Sequence, residues 1–461
     1  MARRFSPPFP VNSPTFSYWQ SQPHPIISDY SSKTFLTHAD TVIIGSGICG
    51  ALIAQNLLSR DHGKGKKSLV MLEARTVASG ATGRNGGHIK PDCYRGFADY
   101  EQMHDTETAR KQCEFERANQ EELSAFIKDQ GLADACELVD YRTADCYMTK
   151  QTWEKGLGSY RAFSNVGGNI KSIKVLDADE ARKTLRVNCA GAITYPACSL
   201  WPYKLVTALI ERCLQHGMFL YSHTPALDIT PSSNRKWKIK TSKGYVHCDR
   251  IIHATNGYAT FLVPELSEKL VPLRGHAAAI DPSPNYSETP LDHSYAFHWG
   301  DDFDYLIQRP SDGRPLIYGG GDTAHPEGYT NGVGNYDDSK ICPIIANNLA
   351  ECIPSTFIGW NKDPDYRCVW TGIMGLTEDE LPFVGELPQK PGQFIAAGYN
   401  GHGMARAFLT TRALCQLMYG EDIDSRVPSA YFDIEGRLQR SLSHWTEIID
   451  DCKAKSLQVY L

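Results

Sequence analysis

The spacing Gly45-Ser46-Gly47-Ile48-Cys49-Gly50 constrains this chain more than any other feature. It follows Thr41-Val-Ile-Ile, a β-branched run that reads as a buried strand, and precedes Cys49 to Leu58, which suits a helix. A polar turn at Lys64-Gly-Lys-Lys-Ser and a second apolar run, Leu69-Val-Met-Leu, complete a βαβ unit whose strands are parallel. In such a unit the first glycine allows the tight turn and the second lets backbone approach a pyrophosphate. The third lets the helix pack on the strand. The helix N-terminus then aims unpaired N–H groups at the phosphates. Glu73 ends the second strand, where a carboxylate accepts hydrogen bonds from ribose hydroxyls. The motif predicts an adenine dinucleotide and does not separate FAD from NAD.

Composition narrows the classes. At 461 residues and 41% hydrophobic content, the chain has room for one large domain or two interleaved ones. A net charge of −6 leaves no excess of Lys and Arg to neutralise phosphates, so no nucleic-acid partner is expected. No apolar run approaches the ~18–20 residues that cross a bilayer. The Pro/Ser-rich stretch from Phe5 to Pro14 stands where a signal peptide would need an apolar core. Fourteen cysteines without a Cys-x-x-Cys pair suggest reduced thiols in a cytoplasmic protein. The histidines show no metal spacing, and no metal is expected. Residues 1–37 hold six of the 26 prolines and no periodicity, so they read as an irregular, partly disordered arm with Phe16, Tyr18 and Trp19 available to pin it.

Further along, Thr106 to Gln130 reads as a long polar helix. Val206, Leu209, Ile210, Cys213 and Leu214 form the apolar stripe of another helix, stopped by Gly217. Trp237–Thr241 and Tyr245–Cys248 read as an antiparallel hairpin, followed by a buried strand at Arg250–Thr255. Strand-like runs Tyr305–Gln308 and Pro315–Tyr318 flank a turn at Ser311–Gly313. Gln393–Ala397 is a strand running into Gly398-Tyr-Asn-Gly-His-Gly403 and a helix over Ala405–Tyr419.

After Glu73 come Ala74, Arg75 and then Ser79-Gly80-Ala81-Thr82-Gly83-Arg84-Asn85-Gly86-Gly87-His88. So many glycines and small residues make a bare-backbone loop that can lie against something flat and polar. A nicotinamide enzyme has no need of it so soon after the ribose acid, whereas a flavin ring must be gripped. These residues resemble the D-amino-acid-oxidase-type FAD-dependent oxidoreductases, a superfamily that includes glycine oxidase, monomeric sarcosine oxidase and γ-glutamylputrescine oxidase. Trp201-Pro-Tyr-Lys-Leu-Val, His253-Ala-Thr-Asn-Gly-Tyr258 with Pro272-Leu-Arg-Gly275, Trp370-Thr-Gly-Ile-Met-Gly with Leu381-Pro-Phe-Val-Gly385, and Ala396 to Met404 are similar to the same family. The arm, with Tyr18-Trp19, resembles fungal members of the γ-glutamylputrescine-oxidase-like branch.

The resemblance implies an α/β fold: a Rossmann-type FAD-binding βαβ domain and an α+β substrate domain with a mainly antiparallel sheet. Residues 38–95, 245–275 and 365–425 would form the FAD domain. Residues 96–244 and 276–364 would form the substrate domain, with 426–461 as a C-terminal segment. The positions implied to hold FAD are Gly45, Ser46, Gly47, Gly50, Glu73, Ala74, Arg75, Ser79, Gly80, Ala81, Thr82, Arg84, Asn85, Gly86, Gly87 and His88 in the first part of the chain. In the rest they are Ala254, Thr255, Asn256, Gly372, Gly398, Asn400, Gly401, His402, Gly403 and Met404. The implied reaction passes hydride from an amine C–H to flavin N5, giving an imine that water hydrolyses. Oxygen or another acceptor then takes the electrons.

Candidate catalytic residues are His402, Tyr305 and Arg309. His402 lies between two glycines, near the flavin's pyrimidine edge or the substrate, or else bonded to its own loop, with no acid partner visible. Arg309 reads either as an anchor for a substrate carboxylate or as one half of a surface ion pair. Cys368, in Cys-Val-Trp-Thr, resembles the covalently flavinylated cysteine of monomeric sarcosine oxidase, so a covalent link there is one expectation and a free buried thiol the other. The segment Gly372–Thr377 lacks the carboxylate-binding arginine that glycine oxidase carries there, which favours an amine or a bulkier amino-acid derivative as the small-molecule partner. An NAD-dependent dehydrogenase and a non-catalytic flavin-binding assembly protein are the rival readings. Oligomeric state is left open.

Overall fold

The structure is a computed structural model that describes residues 9–61, 67–300 and 303–440 together with positions 448 and 450. The expected turn at 64–68 falls mostly outside the described residues, as do the first eight positions of the arm and most of the chain after 440.

The βαβ unit forms from strand His38–Ile44, helix Ile48–Asp61 and strand Leu69–Leu72, with Ile44 directly opposite Leu72 in a parallel pairing. A Cβ on Gly50 would collide with the carbonyl oxygen of Gly45, which fixes glycine where the helix leans on the strand. Gly45 itself has φ +106°. Around this unit runs the first sheet, in the order Phe383–Glu386, Gln393–Ala397, Gly244–His253, His38–Ile44, Leu69–Leu72, Phe219–Tyr221. All of these pairings are parallel except that of the edge strand Phe383–Glu386. The expected hairpin forms, with Tyr245 opposite Lys240. Its second arm and the expected strand at Arg250–Thr255 are one continuous strand, because the same residues also pair in parallel with His38–Ile44.

The second sheet is mainly antiparallel, in the order Asp365–Thr377, Leu270–Asp281, Leu316–Gly319, Phe303–Gln308, His293–His298, Val139–Tyr147, Gly191–Ser199, His88–Ile89. Only His293–His298 with Val139–Tyr147 is parallel among these. The two sheets exchange chain more finely than the division drawn from the sequence. Phe219–Tyr221, Ala226–Pro231 and Trp237–Thr241 join the first sheet, and Asp365–Thr377 joins the second.

The largest apolar cluster joins the βαβ helix, helix Pro202–Gln215 and helix Gly403–Tyr419 to the arm. The aromatics Tyr18 and Trp19 pin the arm to the body, buried against Trp201 at ring separations of 5.0 and 5.6 Å. Among the described residues no helix is long and apolar enough to cross a membrane.

Candidate active site

Four parallel strands end at one level, since Ile44 is opposite both Leu72 and His253, and His253 is opposite Ile395. Their carboxyl ends run out into Gly45–Gly50, Glu73–Arg75, Ala254–Asn256 and Gly398–Gly403. Ligands of open α/β sheets bind beyond such ends. Glu73 is held in place there: Ser46 donates to Oε2 from its backbone N at 3.0 Å and its hydroxyl at 2.6 Å, and the Arg75 backbone N–H donates to Oε1 at 2.8 Å. A Cβ on Gly45 would lie 2.6 Å from the Ala254 carbonyl oxygen, so the first and third segments touch through bare backbone.

The second glycine loop folds against the first. Thr82 Oγ1 accepts from the Ile48 N–H at 2.9 Å, and the Ala78 N–H donates to Ser46 Oγ at 3.0 Å. The guanidiniums of Arg75 and Arg84 turn to Asp338, at 3.0 and 3.5 Å, and both donate to the Ser79 carbonyl. Strand Asp365–Thr377 then links this loop to the last one. A Cβ on Gly372 would meet Arg84 Cβ at 2.9 Å, the Asn400 N–H donates to the Gly375 carbonyl at 2.9 Å, and Met374 Sδ stands 3.5 Å from where Gly401 would carry a Cβ. Asn256 Oδ1 accepts from the Gly398 N–H at 2.9 Å. The two bare stretches flank one strand.

His402 ends the last loop at the start of helix Gly403–Tyr419, and it has an acid partner that the sequence did not reveal. Its Nδ1 donates to Glu116 Oε2 at 3.2 Å. Glu116 is fully buried on helix Thr106–Asp129 and takes three more donors: the Asp92 N–H at 2.7 Å, Gln112 Nε2 at 3.1 Å and Arg406 Nε at 2.7 Å. Burial raises the Glu116 carboxyl, but Arg406 and then His402 outweigh it and hold the group well below the ordinary carboxylate range. The signal for this residue was present: Gln112, Glu116, Asn119 and Gln120 share one helical face, and all are buried. A solvated helix face shows the same spacing.

Tyr305, on strand Phe303–Gln308, lies with its ring against the bare backbone of Gly86 and Gly319 and edge-on to His88 at 5.6 Å. Beyond His88 stands a second cluster that sequence reasoning missed. Lys90 Nζ donates to Asp145 Oδ1 at 2.8 Å, and Asp145 Oδ2 accepts from Tyr94 at 2.8 Å and Tyr195 at 3.0 Å. Burial raises the Asp145 carboxyl, and Lys90 followed by His298 outweighs it, so this carboxylate too sits well below its usual range.

Arg309 is one half of an ion pair, and its Nε and Nη1 have no hydrogen-bond partner among the described residues. It is buried rather than on the surface, its Nη2 donates to Glu137 Oε2 at 2.9 Å, and its guanidinium lies 5.4 Å from the Trp19 ring. Cys368 is half-buried, and burial pushes its thiol up to about 11.

The comparisons with known proteins decide the family. Residues 40–417 match the family described as FAD dependent oxidoreductase (DAO). The chain belongs to this family. It is 23% identical over 397 residues to gamma-glutamylputrescine oxidoreductase of Escherichia coli (strain K12), covering 83% of this chain and 84% of that one. It is 24% identical over 394 residues to glycine oxidase of Geobacillus kaustophilus (strain HTA426), covering 83% and 94%. The crystal structure of glycine oxidase from Geobacillus kaustophilus superposes with a TM-score of 0.71 at 20% identity, over 88% of this chain and all of that one. L-proline dehydrogenase from P. horikoshii does so at 0.67 and 18%, over 86% and 97%.

As a member of the DAO family the chain is an FAD-dependent oxidoreductase, and the match decides between FAD and NAD in favour of FAD. The residues present fit the cofactor. Glu73 stands at the end of the second strand with its carboxylate oriented, Gly45 and Gly50 allow approaches that any Cβ would block, and the 14-residue helix starting at Ile48 points its N-terminus at the site. Ser79 Oγ is buried in the second loop with no hydrogen-bond partner among the described residues.

Proposed function

We propose that the chain oxidises a C–N bond of an amine or amino-acid derivative, and that the carboxyl ends of the four parallel strands, with the two bare loops flanking strand Asp365–Thr377, hold the FAD. Gly45–Gly50, Glu73 and Ser79–Thr82 hold the dinucleotide end; Arg84–His88 and Gly398–Met404 flank the ring. Bound FAD supplies a two-electron acceptor for the hydride that leaves the substrate carbon. The substrate nitrogen's lone pair closes the C=N bond as the hydride leaves, the iminium gives its N–H proton to water, and hydrolysis of the imine yields a carbonyl compound and an amine or ammonia.

The residues of the chain do the rest by placement. Glu116 fixes the His402 ring by accepting a hydrogen bond from Nδ1–H, which leaves Nε2 as the nitrogen available to a substrate or to the ring edge. The N-terminus of the 17-residue helix Gly403–Tyr419 favours negative charge beside it. Tyr305, packed on Gly86 and His88, closes the other side of the loop.

Arg406 is paired with Glu116, Lys90 with Asp145, Arg309 with Glu137, and Arg75 and Arg84 with Asp338. Of these, Arg309 alone keeps buried donors, Nε and Nη1, without a partner among the described residues, so the case for an amine over a simple α-amino acid rests on the arginine missing from Gly372–Thr377. The test is an anaerobic titration of the yellow holoenzyme with a panel of mono- and diamines, N-alkyl amines and amino acids. Bleaching of the visible flavin band by amines supports the reading. A band untouched by every amine and amino acid overturns it and leaves the flavin-binding assembly protein.

A further inference from the structure

The family match begins at residue 40, yet the chain before it is bonded along the second cofactor loop. The Val11 carbonyl accepts from Arg75 Nη1 at 3.2 Å. Thr15 accepts from Arg84 twice, through Oγ1 at 3.0 Å and through its carbonyl at 2.6 Å, and its N–H donates to the Asp338 carbonyl at 2.8 Å. The hydroxyl of Ser17 donates to the Gly83 carbonyl at 2.7 Å, and Trp19 Nε1 to the Asn85 carbonyl at 2.5 Å. The indole of Trp19 fills the space that a Cβ on Gly87 would enter, 2.7 Å away. Trp19 is itself held: its carbonyl accepts from Trp201 Nε1 at 2.7 Å, and Arg309, tied to Glu137, stands over its ring.

We propose that this arm is part of the FAD-binding apparatus, with Thr15 and Trp19 as positioning residues that fix the loop Gly83–Gly87 for the cofactor. Bare backbone of this kind has no side chains with which to order itself, and glycine loses more conformational freedom on ordering than any other residue. The loop's own carbonyls at Gly83 and Asn85 take their donors from the arm, and Arg84, which anchors Ser79, is aimed by Thr15. Without the arm the Gly83 and Asn85 carbonyls have no other protein partner among the described residues, and Arg84 keeps only Ser79, Thr371 and Asp338, so the loop loosens before the fold does.

The test uses the full chain with Thr15→Val, Trp19→Phe and Trp19→Ala, and Phe16→Ala as a control, since Phe16 is 61% exposed. FAD affinity is measured by titrating apoprotein, the visible flavin spectrum is recorded, and apo and holo forms are melted separately. Thr15→Val and Trp19→Phe are expected to weaken FAD binding about tenfold and to shift the flavin band, with the holo melting temperature falling by more than the apo and Phe16→Ala like the parent. Unchanged affinity and spectrum in both variants overturn the proposal, as do equal losses of apo and holo melting temperature at constant affinity, which mark a merely structural arm. If Trp19→Ala fails to fold, the two milder variants still decide. No substrate enters these readouts, so their outcome is independent of the amine panel.

Discussion

His402 and Glu116 lie 286 positions apart in the sequence and 3.2 Å apart in the structure, Nδ1 to Oε2, with Arg406 Nε on the other carboxylate oxygen at 2.7 Å. The carboxylate therefore joins the last cofactor loop to a helix of the other half of the molecule. Arg406 is wholly buried, and its remaining partners are the Tyr100 hydroxyl and the Glu380 carbonyl, both neutral. Replacing Glu116 by Ala leaves that guanidinium without a counter-charge, and breaking a buried pair in this way costs about 3–5 kcal/mol. Glu116→Ala is expected to lower the unfolding free energy by that order in a denaturant titration, and Glu116→Gln, which keeps two acceptor lone pairs, by less. A Glu116→Ala protein as stable as the parent would show that the pair contributes nothing.

The same carboxylate sets an acid limit. Its folded-state affinity for protons is depressed, so its stabilisation is complete above the unfolded carboxyl pKa of ~4.3 and is lost as pH falls below it. Between pH 4 and pH 2 the parent is expected to lose stability more steeply than Glu116→Gln, measured as melting temperature against pH. Parallel curves would contradict this.

Two glycines in the cofactor loops separate by what surrounds them. At Gly50 a Cβ would strike the backbone carbonyl of Gly45, whereas at Gly80 nothing lies within 4 Å of one and φ is −78°. Gly50→Ala is expected to yield colourless protein, because relieving the clash moves the helix N-terminus away from the strand end. Gly80→Ala is expected to fold with the parent's apo melting temperature, since no protein atom crowds a Cβ there. A yellow Gly50→Ala protein would sink the argument.

The contrast between these loops and the rest shows what the sequence could carry. Gly45 to Gly50 was legible because three different steric demands, each met only by glycine, fall at fixed spacing between a strand and a helix. Glu116 was not, since Gln112, Glu116, Asn119 and Gln120 have the spacing of a wet helix face, and only the seating of helix Gly403–Tyr419 against them makes that face interior. Trp19 was legible as an aromatic able to pin the proline- and serine-rich arm, but its partners Trp201 and Arg309 lie far along the chain and were not. Arg309 follows a strand in a position that suits a ligand contact, and nothing local shows that Glu137 reaches it first.

A buried histidine supplies a pH dependence in a milder range. His253 ends a central strand, is fully buried, and its ring nitrogen Nε2 meets Gln393 Oε1 at 3.0 Å. Burial is the main cause that pulls its pKa down to about 4, from an unfolded value of ~6.5. Above pH 6.5 both states are neutral there and the residue adds no pH dependence. Below it the unfolded chain takes up a proton that the folded chain refuses, so stability falls as pH drops from about 6.5 towards 4. His253→Gln is expected to flatten the melting curve across that window by about one proton's worth of slope. An unchanged slope would place the titration elsewhere.

The flavin is expected to leave the protein on acid precipitation. Covalent attachment through sulfur needs a thiolate, and burial pushes the Cys368 thiol up to about 11, which favours the neutral thiol at neutral pH. Its strand neighbour across the sheet is Ala279, and none of the groups that influence it, the nearby Arg367 included, brings it down to the reactive range. Precipitating holoenzyme with trichloroacetic acid should therefore put all the yellow colour in the supernatant, and Cys368→Ser should match the parent in colour and in FAD affinity. Colour that stays with the pellet in the parent and leaves it in Cys368→Ser would establish a thioether at this position. It would also mean that the bound cofactor lowers the barrier this buried thiol presents on its own.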